Sequence, residues 1–236
     1  MEGLFNILRV LHIIGGFTAL LVFWIPIVTK KGGKIHRRVG WIYVGGMIAV
    51  SISAFYMGFY RIFTTEVDDI GMYSFSWFLI FISILSGASA YYGLRVLKQK
   101  KRISRHQNVL DLSFSILLIL SGVGIGIYGW TIDVALITWF PLLGIVLGSV
   151  QLAYWLRKPS KKMHWFFEHI SGMLACCIAT ITAFLVFGGP RLLNIEGDSI
   201  LLWFLPTILL TPVIIGYSVY YNKKFAGKLR KQNKAI

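Results

Sequence analysis

Histidine is the residue type that points most directly to chemistry in this chain of 236 residues. Four of the five histidines follow stretches rich in Lys and Arg and stand near the start of apolar segments: His36, His106, His164 and His169. A neutral imidazole is a common ligand of transition metals. The positive end of a helix dipole disfavours protonation of an imidazole, so these positions favour the metal-binding form.

Two acids and three arginines accompany these histidines. Asp111 and Glu168 lie about a turn inside apolar segments, where a carboxylate could bind a metal through oxygen or orient an imidazole. Arg37, Arg38 and Arg105 could pair with haem propionates or with a lipid phosphate. Small residues near the histidines could leave room for a flat macrocycle: Gly40, Gly45, Gly46, Ser113, Ser171 and Gly172.

Three interpretations of this set are open. Three histidines with Asp111 would suit zinc with one position left for water, as metal-dependent hydrolysis requires. Two facing histidines would suit a six-coordinate haem. The third interpretation needs no cofactor, because acids in the first turn of a helix are stabilised by its dipole.

The spacing of these residues argues against a metal motif on a single helix. His164 and His169 are five residues apart, as are His106 and Asp111. That separation places two side chains about 140° apart around a helix. Any metal site must therefore combine residues from several helices.

The elements that must position these residues are seven apolar segments. Hydrophobic types make up 56% of the chain and charged types 14%, a composition that excludes an ordinary soluble globule. A bilayer core about 30 Å thick needs about 20 apolar residues per helix. The qualifying segments are residues 4–29, 39–60, 73–97, 108–130, 134–156, 165–188 and 200–222. They show no period-two alternation, so the sequence predicts an all-α integral membrane bundle of seven transmembrane helices, forming one domain over residues 1–236.

The distribution of charge predicts how the chain crosses the membrane. Of its 24 Lys and Arg residues, 21 fall in three loops and the C-terminal tail, all on one side: 30–38, 95–105, 157–162 and 223–234. Seven acids fall on the other side: Glu2, Glu66, Asp68, Asp69, Asp133, Glu196 and Asp198. The positive-inside rule then predicts an outer N-terminus and a cytoplasmic C-terminus in the inner (plasma) membrane. The net charge of +15 favours contact with anionic lipid headgroups and not with nucleic acid.

Two segments carry a resemblance to a known family. Residues 34–47, which begin Lys-Ile-His36-Arg37-Arg38-Val-Gly40, resemble a family of uncharacterised bacterial membrane proteins whose second helix opens with His-Arg-Arg-x-Gly-x-x-Tyr. Residues 164–173, from His164 through His169, look like the same family's second marked region. The resemblance implies a bacterial inner-membrane protein and supplies no reaction.

Two other groups are similar in architecture only. Cytochromes of the b561 type hold haem between histidines within helices, whereas the histidines here lie nearer helix ends. Seven-helix zinc hydrolases of the alkaline ceramidase and adiponectin-receptor kind carry Ser-x-x-x-His and His-x-x-x-His. This chain has Ser160-x-x-x-His164 in a predicted loop, and four residues, not three, separate His164 from His169.

These observations favour a plasma-membrane protein with a histidine-rich site at the cytoplasmic ends of helices 2, 4 and 6. We expect His36, His106 and His169 to meet there, supported by Asp111 or Glu168, and to bind haem or a transition metal in a redox role. A zinc-dependent intramembrane amidase or lipid hydrolase is the enzymatic alternative. A non-catalytic assembly or transport protein without a cofactor is the other.

Overall fold

The fold is described from a computed structural model. It describes residues 2–64, 69–161, 163–194 and 199–233, with the backbone only from 225 onward. Several charged residues of the predicted topology lie outside the described residues: Glu66, Asp68, Lys162, Glu196, Asp198 and Lys234.

The described part of the chain consists of helices and short connections, and no strand occurs in it. The α-helices are α1 (Glu2–Val22), α2 (Trp24–Val28), α3 (Lys34–Thr64), α4 (Ile70–Arg95), α5 (Val109–Thr131), α6 (Ala135–Trp139), α7 (Pro141–Leu156), α8 (His164–Ala183), α9 (Gly189–Leu193) and α10 (Ile200–Asn233). A 3₁₀ helix, Val96–Gln99, extends α4, and a π-helix, Phe184–Gly188, follows α8. The prediction of an all-α protein is therefore confirmed.

Within the part of the chain that the structure describes, seven helical segments are long and apolar enough to cross a membrane, as the sequence predicts. They are Glu2–Val28, Lys34–Thr64, Ile70–Gln99, Val109–Thr131, Ala135–Leu156, His164–Leu193 and Ile200–Lys224. The second begins five residues before the predicted position 39. His36, Arg37 and Arg38 consequently lie in the first turns of α3 and not in the loop before it.

The chain separates into two compact units, residues 1–180 and 181–236. In the first unit α3 packs against α1 and α4, and α5 packs against α7 and α4. The first unit contains all the predicted site residues. In the second unit, the rings of Phe187 and Trp203 pack edge to face with centroids 5.4 Å apart. That the whole chain forms one domain stays a prediction.

Side-chain caps define where two of the long helices begin. The Asn108 side chain accepts a hydrogen bond from the Asp111 backbone N–H at 3.2 Å, and Asp69 accepts one from Met72 N–H at 2.9 Å. Such caps satisfy backbone donors that have no partner within the helix. The cap at Asn108 ends the basic loop of residues 100–108 and fixes Asp111 in the first turn of α5.

Candidate functional site

Two of the predicted ligands, His36 and His169, lie side by side. His36 is in the first turn of α3 and His169 is in the second turn of α8. Their ring centroids are 6.3 Å apart, and the ring planes meet at 67°. Both side chains are half-buried. The structure therefore forms one imidazole pair from residues that are 133 positions apart in the sequence.

Backbone carbonyls fix the protonation of both rings. His36 Nδ1 lies 3.0 Å from the Pro26 carbonyl oxygen, and His169 Nδ1 lies 2.6 Å from the Gly93 carbonyl oxygen. Because a carbonyl oxygen can only accept, each Nδ1 carries the hydrogen and donates it. In the neutral ring the other nitrogen, Nε2, then keeps its lone pair. Metal-binding histidines are commonly oriented in this way.

The turn between α2 and α3 positions His36. Gly32 has a φ of +73°, a left-handed conformation that favours glycine, and the chain reverses there before α3 begins. Pro26 in α2 presents its carbonyl oxygen to His36 and also to Lys31 Nζ at 2.9 Å. Lys31 donates to the Ile27 carbonyl as well. These side chains satisfy carbonyls at the C-terminal end of α2 that lack helical partners.

A close contact between α4 and α8 positions His169. A Cβ atom added to Gly172 would lie 2.9 Å from Gly93 Cα and 3.1 Å from Gly93 N. The two backbones can approach this closely only because both residues are glycine. His169 precedes Gly172 by one turn and therefore reaches the Gly93 carbonyl oxygen. The sequence prediction did not include Gly93. The only signal in the sequence that could have found it is a small residue directly after two tyrosines, Tyr91 and Tyr92.

Asp111 forms a separate, fully bonded cluster. Its Oδ1 accepts hydrogen bonds from Arg95 Nε at 2.7 Å and from Tyr91 Oη at 2.5 Å. Its Oδ2 lies 2.5 Å from His106 Nε2, which donates to the carboxylate. Asp111 is 1% exposed, and a buried carboxylate needs such partners. We call Asp111, Arg95, Tyr91 and His106 the aspartate cluster.

His106 is held in the aspartate cluster from several sides. Its backbone N–H donates to the Trp155 carbonyl at 2.9 Å, and its ring lies 4.7 Å from the Trp155 ring. The sequence analysis treated His106 and Asp111 as two positions of one helix, about 140° apart. That expectation is wrong, because His106 precedes α5 and the loop turns its ring back onto Asp111. Asp111 thus fixes the orientation of the His106 ring.

Arg102 anchors the same loop to the end of α7. Its guanidinium donates to the carbonyls of Tyr154 at 2.9 Å, Trp155 at 3.1 Å and Arg157 at 3.0 Å. These carbonyls belong to the last turn of α7 and the residue after it, where helical partners are missing. The guanidinium also lies 4.3 Å from the centre of the Tyr154 ring. The basic loop thus has a structural role.

His164 and Glu168 form two further hydrogen bonds, both with tyrosines. His164 Nδ1 lies 2.8 Å from Tyr154 Oη, and Tyr92 Oη donates to Glu168 Oε2 at 2.5 Å. His164 is 8% exposed, and within the described ranges its Nε2 has no hydrogen-bond partner. Glu168 supports a tyrosine and not an imidazole.

The structure thus divides the predicted site residues among three places. His36 pairs with His169, His106 joins Asp111, and His164 contacts Tyr154. Among residues 2–64, 69–161, 163–194 and 199–233, no three His, Cys, Asp or Glu side chains form a group that could hold a metal ion. The expected meeting of His36, His106 and His169 is therefore not found there. Arg37, Arg38 and Arg105 are exposed, and their pairing with propionate or phosphate stays a prediction.

Three residues of these clusters were missed by the sequence analysis: Tyr91, Tyr92 and Arg95. Arg95 entered only as a loop charge, yet it is the ion-pair partner of Asp111. The available signal is the run Tyr91-Tyr92-Gly93-Leu94-Arg95, which puts two phenols and a cation at the end of an apolar segment. Polar groups at a membrane boundary need partners, and these three find acids on α5 and α8.

Comparison with known proteins gives one match. Residues 9–133, more than half of the chain, match the profile of a family described as "Predicted membrane protein (DUF2306)". The matched region includes His36, His106 and Asp111, and it ends before α8 and His169. No curated protein and no solved structure matches the chain significantly.

Proposed function

Since the chain belongs to this family of multi-pass membrane proteins, whose description names no activity, we propose a function from the site alone: His36 and His169 hold a haem or a transition-metal ion in a redox role. The observation that carries this proposal is the geometry of the pair. Both rings donate through Nδ1 to a backbone carbonyl, and their centroids are 6.3 Å apart.

The separation of the two rings fits a shared metal. Metal–imidazole bonds are about 2.0–2.1 Å long, and the centre of an imidazole ring lies about 1.1 Å behind its nitrogen. Two imidazoles on opposite sides of one metal therefore have centroids about 6 Å apart. An edge-to-face aromatic contact also has centroids about 4.5–7 Å apart, and cofactor analysis separates the two interpretations. Two axial histidines are also a known way to hold haem iron.

Space next to His36 supports haem among the possible groups. Gly40 follows His36 by one turn on the same side of α3. A Cβ atom added to Gly40 would meet no atom within 4 Å, and the same holds for Gly45. Gly46 and Gly172, by contrast, contact the neighbouring helices closely. Of the small residues expected to leave room, Gly40 borders open space on the side of His36, whereas Gly45 borders open space on the opposite side of α3.

The roles of this chain's residues follow from these contacts. His36 and His169 would hold the metal through Nε2, while the Pro26 and Gly93 carbonyls keep both rings in the correct orientation. Exposed Arg37 and Arg38 lie beside His36 and would pair with propionates. When bound, the metal supplies one-electron chemistry.

The proposal also assigns a side of the membrane. By the positive-inside rule, the basic loops support an outer N-terminus, a cytoplasmic C-terminus and a histidine pair near the cytoplasmic face of the plasma membrane. Alkaline phosphatase is active only outside the cytoplasm. A fusion after Lys101 should therefore be inactive and a fusion after Asp133 active. The reverse pattern would contradict the assignment.

The cofactor itself is tested on protein purified in detergent without chelator. We expect a visible haem spectrum, or about one histidine-bound, redox-active metal ion per chain by multi-element mass spectrometry. His36→Ala and His169→Ala should each abolish it. His12→Ala is the matched control, since His12 contacts Ser53 Oγ at 3.0 Å in another part of the structure. Colourless, metal-free wild-type protein would overturn the proposal and favour a role without a cofactor. One zinc per chain would point to the hydrolase alternative.

A further inference from the structure

A buried group of sulfur-bearing side chains lies deeper between α3 and α8. Cys176 and Cys177 are 0% and 5% exposed and pack in one core cluster with Met47 of α3. Met173 packs against the same cluster. Small residues of α1 and α4, Ala19 and Ala90, complete its walls. Thiols and thioethers are thus concentrated in an otherwise apolar interior.

Hydroxyl groups lie among these sulfur atoms. The Tyr43 hydroxyl lies 3.1 Å from Thr180 Oγ1. Thr180 Oγ1 lies 3.3 Å from the sulfur of Met47. Thr180 also donates to the Cys176 carbonyl at 3.0 Å. Met47 of α3 is thus joined through Thr180 to the backbone of Cys176, and both cysteines pack in the same core cluster.

We infer that Met47, Cys176 and Cys177 form a binding site for one Cu(I) ion. Soft thiolate and thioether ligands select Cu(I) over the harder divalent ions. Two neighbouring cysteines alone supply too few ligands for such a site. Met47 provides the additional sulfur, and Met173 stands beside it.

The charge balance suits a buried site. As the copper–sulfur bond forms, one thiol releases its proton to the solvent, and the other two sulfur atoms bind through lone pairs. One positive ion and one thiolate give a neutral centre, which avoids the cost of burying a net charge. The Tyr43 hydroxyl can donate to the thiolate. Copper stays Cu(I) throughout, so no oxidant or reductant is needed.

The site lies near the histidine pair along both helices. Cys176 follows His169 by seven residues on α8, and Tyr43 follows His36 by seven residues on α3. Seven residues of a helix span about 10 Å. The sulfur cluster therefore lies two turns from the half-buried histidine pair, with Met173 between them on α8. The inference uses other residues than the histidine pair and does not depend on it.

Anaerobic titration with Cu(I) against a coloured Cu(I) chelator tests the site on the full-length protein in detergent. We expect one tightly bound Cu(I) per chain, with sulfur neighbours in its X-ray absorption spectrum. Because the chain has only two cysteines, any thiolate signal must come from them. The double variant Cys176→Ala/Cys177→Ala should lose binding. Met47→Leu, which keeps the side-chain volume, should weaken binding at least about tenfold.

Two controls decide between this site and others. Met57→Leu replaces another buried methionine of α3 outside the cluster and should leave Cu(I) affinity unchanged. His36→Ala should leave the sulfur-bound Cu(I) in place, even if it removes the haem or metal of the proposed function. Copper that persists in the double cysteine variant, or that is lost in the histidine variant alone, would overturn the inference. So would wild-type protein that yields all its Cu(I) to the chelator.

Discussion

The histidine pair and the aspartate cluster both contain histidine, but the hydrogen-bond partners of the rings differ. In the aspartate cluster, Asp111 bonds to Arg95, Tyr91 and His106, so both carboxylate oxygens and His106 Nε2 are in use. In the pair, the carbonyls of Pro26 and Gly93 occupy only the Nδ1 atoms. The His106 ring is therefore tied into an ion network, whereas the His36 and His169 rings are held by neutral carbonyls and lie side by side.

The difference shows that histidines alike in the sequence can have partners of different charge. His36, His106 and His169 all lie next to basic loops, and all three stand at or near helix starts. A carboxylate bonded at Nε2 makes His106 part of an ion network, which is stable only while it is complete. A backbone carbonyl bonded at Nδ1 orients the ring and contributes less to stability.

The largest loss of stability is expected for Asp111→Ala. The change leaves the Arg95 guanidinium and His106 without their carboxylate, and removing one partner of a buried ion pair costs about 3–5 kcal/mol. Thermal unfolding in detergent, followed by circular dichroism, measures the loss. His36→Ala removes a single bond to a carbonyl and should cost about 1 kcal/mol. Equal effects of the two changes would contradict the distinction between cluster and pair.

A smaller loss of stability is expected for Gly172→Ala. This change affects the histidine pair indirectly, through the contact between α4 and α8 that positions His169. The added methyl group would lie 2.9 Å from Gly93 Cα, so α4 and α8 must separate. Overpacking of this kind typically costs about 1–3 kcal/mol. Separation also moves His169 away from the Gly93 carbonyl, so metal or haem content should fall together with stability.

Gly124→Ala is the matched control for that substitution. Gly124 is also a helix glycine, but a Cβ atom there would meet no atom within 4 Å. Its stability and cofactor content should match those of the wild type. If Gly172→Ala behaves in the same way, the glycine contact does not position His169.

Local features of the sequence predicted the helices well, and the reason is physical. A run of about 20 apolar residues is both the signal and the cause of a membrane span, so each helix can be found without its neighbours. Residue type and location marked four histidines alike, and only the structure shows that His36 and His169 lie side by side. Their partners could not be predicted, since any residue can present a carbonyl and only packing selects Pro26 and Gly93.

Helix packing also determines what the sequence analysis missed. Arg95 and Asp111 are 16 residues apart on different helices, and no spacing rule connects them. The rule used for His106 and Asp111 assumed one continuous helix, whereas α5 begins only at Val109. Distances across helices or loops depend on the contacts that bring those elements together, and these contacts are encoded over the whole chain.

The smallest loss of stability is expected for Tyr154→Phe. This change tests whether His164, whose partner is a neutral hydroxyl, differs from His106 in the aspartate cluster. The change removes the hydroxyl 2.8 Å from His164 Nδ1 and keeps the ring that packs on Arg102. A hydrogen bond between neutral groups contributes about 0.5–1.5 kcal/mol, less than a bond within an ion network. Tyr128→Phe is the control, because it removes a hydroxyl bond of similar length, 2.9 Å, to Ser74. Unfolding in detergent should show similar small losses for both variants. A loss for Tyr154→Phe as large as that for Asp111→Ala would mean that His164 belongs to an ion network and that a neutral partner does not mark a weakly coupled histidine.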